Sequence, residues 1–191
     1  MIRLHLGQID ALQRAVAEIE MRLGEVLVPF HWATRLLTTM PGVIDIVAQV
    51  LVAEIGMDMG RFPTAGHLVS WAGLCPRMDQ SAGKRRSTRI RLGAPWLKTV
   101  LVQAAWAGSR KRDSYLRAQF LRLKGRRGAK KAIIAVAASM LTAAYHMLRD
   151  GVEYHDLGAD HFDRRDRTKV AHRLIRRLEE LGLRVKIEAA A

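Results

Sequence analysis

The segment Gly73-Leu74-Cys75-Pro76-Arg77-Met78-Asp79-Gln80-Ser81-Ala82-Gly83-Lys84-Arg85-Arg86 sets one serine beside glycine and a cluster of cations. A serine hydroxyl can attack a phosphodiester. Its Oγ bonds to phosphorus, the bond to one sugar oxygen breaks, and a sugar hydroxyl leaves. The reaction gathers negative charge on the phosphoryl oxygens. Arg85, Arg86, Arg89 and Arg91 suit that charge, because a guanidinium is permanently ionised and can bind two oxygens at once. A serine in a basic loop can equally be a plain hydrogen-bond donor to backbone or phosphate. The residue types alone leave both roles open for Ser81.

Other chemical constellations are weaker. Cys75 is the only cysteine, so it has no second thiolate for a zinc pair and no disulfide partner, which fits a reducing cytoplasm. His155, Asp156, Asp160, His161 and Asp163 cluster in sequence, but their mixed charges and loop setting favour a solvated surface over a metal site. Trp32, Trp71, Trp96 and Trp106 read as core anchors, with base stacking the alternative. Gly125 and Gly128 stand among cations and could follow a phosphate backbone, but show no P-loop spacing.

Charge separates these candidates. The chain has a formal net charge of +14. Residues 1–76 sum to −2, residues 77–131 to +15 and residues 132–191 to +1. A solvated surface normally mixes signs, so a block this one-sided calls for a polyanion, and nucleic acid repays each neutralised phosphate with a released counterion. Lys84, Arg85, Arg86, Arg89, Arg91, Lys98, Arg126, Arg127 and Lys130 are the expected nucleic-acid contacts, and no residue is assigned to metal.

These groups need elements to position them. Leu4, Ile9, Leu12, Val16, Ile19, Leu23 and Val26 recur every three to five residues, which predicts an amphipathic helix over 4–28 of coiled-coil type, ended by Pro29. Residues 33–40, the Pro41-Gly42 turn and residues 43–55 have the outline of a helix-hairpin-helix. In that motif the turn's amides receive a DNA phosphate. Ile44 occupies the place of the usual second glycine, so a purely structural turn is the alternative. Further helices are expected over 64–72, 96–109, 114–123, 129–148 and 169–181, with a short strand at 183–187. Residues 77–94 read as an irregular exposed stretch. The apolar run 132–145 falls short of the roughly 20 residues that span a bilayer and reads as a buried core helix. The fold class is therefore mainly α, in three parts. Residues 1–32 form a dimerisation helix, 33–150 the main domain with a basic irregular loop, and 151–191 a loop, helix and tail.

Several ordered segments carry a resemblance. They are Leu37-Thr38-Thr39-Met40-Pro41-Gly42-Val43, Ala53-Glu54-Ile55-Gly56, Trp71-Ala72-Gly73-Leu74-Cys75-Pro76, Gln80-Ser81-Ala82-Gly83-Lys84-Arg85-Arg86 and Gly93-Ala94-Pro95-Trp96-Leu97. Downstream, Ala104-Ala105-Trp106-Ala107 and the stretches 145–151 and 157–165 continue it. Over roughly residues 33–180 the chain resembles the C-terminal transposase domain of insertion sequence family 110, grouped with families 116 and 902.

The resemblance implies transposition of an insertion sequence by DNA cleavage and rejoining. It implies a serine nucleophile at Ser81 and a structured bridge RNA that pairs with donor and target DNA. Such a complex leaves sequence choice to base pairing and backbone grip to the protein. It further implies an N-terminal ribonuclease-H-like half whose four acidic residues bind a divalent metal, magnesium by type. Residues 1–32 offer only Asp10, Glu18, Glu20 and Glu25, all on one predicted helix. The expectation is thus a transposase fragment with no metal cofactor of its own. It would act with DNA, the RNA, and a further copy or a full-length transposase, away from any membrane. The alternative is a non-catalytic nucleic-acid-binding remnant.

Overall fold

A computed structural model describes residues 1–76, 79–81, 83–87, 89–165 and 167–186. The chain is mainly α-helical. Helix α1 (Ile2–Leu27) leads through a 3-10 turn, Val28–Phe30, into α2 (His31–Thr38) and α3 (Asp45–Ile55). A second 3-10 turn, Met59–Arg61, precedes α4 (Ala65–Trp71). Two short strands, β1 (Asp79–Ser81) and β2 (Lys84–Ser87), follow. The remaining helices are α5 (Pro95–Gly108), α6 (Tyr115–Arg127), α7 (Ala129–Asp150), α8 (His161–Arg165) and α9 (Arg167–Glu180).

The core forms around α7. Ala132, Ile133, Val136, Ala137, Met140, Leu141, Ala144, Tyr145, Met147 and Leu148 are buried on it, and α2, α4, α5 and α6 pack against this helix. Alanines at 132, 137 and 144 let neighbouring backbones approach closely, while Leu37, Leu51, Leu68, Leu97 and Leu101 fill the space between. By length and composition α7 could cross a membrane, but its apolar residues are the ones that hold the helical body together.

Local chemistry sets the element ends. Thr64 and Ser114 cap α4 and α6, accepting from the amides of His67 at 3.4 Å and Arg117 at 3.3 Å. Such caps satisfy amides that the first helical turn leaves without partners. Pro95 opens α5, where its missing N–H costs nothing. Three side chains staple distant segments. The Tyr145 hydroxyl donates to Phe62 O at 3.1 Å, the Tyr154 amide to Thr39 Oγ1 at 3.0 Å, and the Tyr115 amide to Asp156 Oδ1 at 2.8 Å.

Helix α1 stands apart from this packing: none of its residues is buried. Ile9, Leu12, Val16, Ile19, Leu23 and Val26 follow one another at alternating steps of three and four, and all are exposed. That alternation gives α1 an apolar stripe with the spacing coiled coils use.

Three expectations change. The stretch 77–94 is not wholly irregular, since it contains the β1–β2 pair. No strand forms at 183–186, which follow α9, and residue 187 lies outside the described residues. The third concerns the Pro41-Gly42 turn, whose glycine faces inward: a Cβ there would sit 2.3 Å from Ala104 O and 2.5 Å from Gly108 N. The turn is therefore pressed against the backbone of α5. At the start of α3 stands the carboxylate of Asp45, where a phosphate would have to approach. Gly42 therefore has a packing role in this turn.

Candidate nucleic-acid interface

The basic segment is organised as an antiparallel ribbon. Asp79 pairs with Ser87, Gln80 with Arg85 and Ser81 with Lys84. The register shifts between Asp79 and Gln80, so Arg86 is the additional residue of a bulge in β2. Bulges twist a ribbon and re-aim its residues. Ser81 ends β1 and lies directly across from Lys84, with two residues between the strands. The second of these, Gly83, has φ +74°, a conformation that disfavours any side chain.

The base of the ribbon is pinned to the helical body by backbone contact. A Cβ on Gly93 would lie 2.5 Å from the carbonyl carbon and oxygen of Ala72 and 2.6 Å from the Gly73 nitrogen. A Cβ on Gly73 would lie 2.8 Å from Arg91 O. The outgoing and returning strands thus cross where neither residue has a side chain. Pro76 bridges Ile90 just beyond the crossing. Lys98, one turn into α5, donates its ammonium to Arg91 O at 2.8 Å. Lys98 was expected to contact nucleic acid; here its charged end ties the returning strand to α5.

The other expected contacts fall into two groups. Lys84, Arg85, Arg86, Arg89 and Arg91 belong to the ribbon and its returning strand. Arg126, Arg127 and Lys130 belong to the α6–α7 turn, where all three are exposed. Sequence reading missed a third set between them. Arg110, Lys111 and Arg112 are exposed beyond the end of α5, and Lys124 is exposed on α6. The absence of acidic residues from 80 to 112 was the available signal. Ion pairs join Arg149 to Asp150 (2.7 Å), Arg164 to Asp160 (2.9 Å) and Arg176 to Glu180 (3.5 Å).

The tryptophans also depart from expectation. Trp32, Trp71, Trp96 and Trp106 are 49, 45, 74 and 39% exposed, so none is a core anchor. Trp71 leans on Phe62 with ring centroids 5.7 Å apart, and Trp106 meets Phe120 edge-on at 5.4 Å. The core is instead closed by leucine, valine, alanine and methionine.

The histidine–aspartate cluster has structural work to do. Asp156 Oδ1 accepts from the amides of Tyr115 and Gly158, Asp160 pairs with Arg164, and the His161 ring lies against Tyr115 at 5.2 Å. Arg122 covers the outer face of Phe162 at 4.2 Å, while Tyr115 stacks on that ring at 5.2 Å. Burial raises the Tyr154 phenol above its ordinary value, with Asp156 adding to the effect. Among the described residues no three His, Cys, Asp or Glu side chains converge as a metal site. The residues described here therefore do not fit a divalent metal. Asp10, Glu18, Glu20 and Glu25 are exposed along α1.

Comparison with known proteins places this ribbon and its supporting helices. Residues 34–121, from α2 into α6, match the model of the Transposase IS116/IS110/IS902 family. The chain is also 32% identical over 144 residues to the "Insertion element IS110 uncharacterized 43.6 kDa protein" of Streptomyces coelicolor (strain ATCC BAA-471 / A3(2) / M145). The similar region covers 74% of this chain and 34% of that relative, so the chain spans about a third of the relative's length. The ribbon and most of the helices that hold it thus fall within residues 34–121, the stretch that matches the transposase domain of the IS116/IS110/IS902 family.

Proposed function

We propose that the chain is the DNA-handling part of an insertion-sequence transposase, and that Ser81 is its nucleophile. One observation carries the reading: Ser81 pairs with Lys84 at the end of a cationic ribbon whose base is fixed to the helical body. In the reaction, Ser81 Oγ loses its proton and bonds to a DNA phosphorus. The bond to one sugar oxygen breaks, and the released sugar hydroxyl takes a proton. Lys84, Arg85, Arg86, Arg89 and Arg91 neutralise the charge gathered on the phosphoryl oxygens. The divalent metal belongs to a ribonuclease-H-like portion supplied by a full-length transposase, and no step is assigned to it here.

The cations at Arg126, Arg127 and Lys130 grip the backbone of DNA or of a guide RNA without reading sequence. Helix α1 pairs with the α1 of a second copy through its Ile9–Val26 seam. Residues 1–32, 33–150 and 151–191 then act as an assembly helix, the transposase domain and a C-terminal extension. The setting is the cytoplasm, where the DNA is.

The test is covalent capture. The chain is incubated with nicked suicide DNA and a full-length family member whose own nucleophilic serine is alanine. A protein–DNA adduct that disappears in Ser81→Ala is expected. An adduct that persists in Ser81→Ala would remove Ser81 from the role. Tight, salt-sensitive binding without any adduct would favour a non-catalytic remnant.

A further inference from the structure

The solvent face of α5 has a composition unlike that of an ordinary surface helix. Trp96, Thr99, Gln103 and Trp106 succeed one another at steps of three and four, each is exposed, and exposed Arg110 follows just past the helix end. They form one stripe along the helix that leaves the ribbon. Trp96 is 74% exposed at its ribbon end and Trp106 is 39% exposed at the other. Water-exposed indoles are costly, and two on one stripe call for an occupant.

Trp106 is held in a fixed attitude. Phe120 braces it edge-on at 5.4 Å, and the Lys124 ammonium lies 5.9 Å from the Phe120 ring centre. Charge selects the occupant. No Asp or Glu occurs between Asp79 and Asp113, so the stretch of chain that carries the stripe joins two cationic clusters and has no carboxylate of its own. An apolar protein partner would not need cations at both ends. A duplex keeps its bases stacked inside and offers an indole base edges and backbone but no free base face. Unpaired bases offer flat aromatic faces next to phosphates.

Building on the nucleic-acid reading above, we propose that the exposed stripe of α5 binds a single strand of nucleic acid, with Trp96 and Trp106 stacking on unpaired bases. The two tryptophans are ten residues apart, about 15 Å along the helix axis. At the roughly 3.4 Å spacing of stacked bases that is a track of about four or five nucleotides. Thr99 and Gln103 lie between them as hydrogen-bonding groups, and neither type favours one base.

The experiment titrates the full chain with a short labelled oligothymidylate and, separately, with a DNA duplex at the same salt concentration. Trp96→Ala and Trp106→Ala are each expected to weaken oligothymidylate binding by roughly 5- to 100-fold, as loss of one stacked base does. Trp96→Phe and Trp106→Phe should restore most of it, and duplex binding should hold within about twofold. Oligothymidylate affinity that is unchanged in both alanine variants overturns the proposal. So does an equal loss of duplex and single-strand affinity. If the wild-type chain binds neither probe, the nucleic-acid function itself fails along with this inference. If it binds both and the variants do not differ, only the stripe is refuted. Should Trp106→Ala unfold, Trp106→Phe together with quenching of Trp96 fluorescence by bound oligothymidylate decides the matter, absence of quenching counting against it.

Discussion

The crossing at the base of the ribbon gives the sharpest prediction, because its cost can be worked out from distances. In Gly93→Ala the new Cβ would meet Ala72 at 2.5 Å and Gly73 at 2.6 Å, whereas real Cβ atoms essentially never approach closer than 3.0 Å. The obstructing atoms are backbone and cannot rotate away, so the two strands must part by at least about 0.5 Å. Forcing one extra methyl into a filled site costs roughly 1–3 kcal/mol. For a chain of this size each kcal/mol lowers the melting temperature by about 2–4 °C, so a fall of roughly 2–12 °C is expected in a calorimetric scan. Parting the strands also strains the 2.8 Å tie from Lys98 to Arg91 O and shifts the path leading to Ser81. Misplacing a reacting group by about 1 Å can cost on the order of a hundredfold in rate. Adduct formation with suicide DNA should therefore drop by tenfold or more. The salt dependence of binding should stay the same, because no charge has changed. Gly83→Ala is the control: a Cβ there meets no atom within 4 Å, and the cost comes only from φ +74°, about 1–2 kcal/mol. A Gly93→Ala protein that melts like wild type and still forms adduct normally would refute the pinned-ribbon reasoning.

Other consequences can be checked separately. Ser114→Ala removes the fully buried cap of α6, and chemical denaturation should show a loss of about 1–2 kcal/mol. Asp156→Ala severs the bonds to the amides of Tyr115 and Gly158 and should cost about 2 kcal/mol, while Asp156→Asn, which keeps Oδ1, should cost less. Tyr154 has a raised folded-state pKa, so its contribution is complete below the unfolded phenol's value near 10 and is lost as pH rises above it. Alkaline unfolding curves of wild type and Tyr154→Phe should therefore diverge only above about pH 10. On the proposed pairing of α1, light scattering should report a dimer for wild type and a monomer for Val16→Asp with Ile19→Asp, which puts charge on its apolar stripe. Arg126→Gln with Arg127→Gln should reduce the slope of log affinity against log salt by about two while lowering affinity evenly across DNA sequences.

The helices were legible because burial on one side writes its period into the chain. Val136, Met140, Ala144 and Leu148 mark the inner face of α7 whatever surrounds it. Pro95 and Gly151 announce their helix ends through backbone chemistry that needs no partner. The ribbon was not legible, because a strand reveals itself by alternating apolar residues and Lys84-Arg85-Arg86-Ser87 has none. It is held at its base by Gly73 against Gly93, a contact between residues twenty apart that leaves no local pattern. The tryptophans misled for a related reason. Large aromatic residues usually fill cores, but a core built on alanine-faced helices leaves no room for an indole. The basic third marked one region of the surface by charge alone. Which cations lie there and which, like Lys98, are tied to backbone depended on the fold.

The length of α1 sets a scale for any assembly built on it. Its 26 residues extend about 39 Å, and only the three residues Val28–Phe30 join it to α2. Two copies zipped in parallel would bring both bodies to the same end, with their two Ser81 hydroxyls able to work on neighbouring phosphodiesters. An antiparallel pair would hold the bodies nearly four nanometres apart and direct them to separate DNA sites. On the proposed pairing, the polarity of that helix pair would decide whether one assembly makes a paired cut or bridges two distant sites.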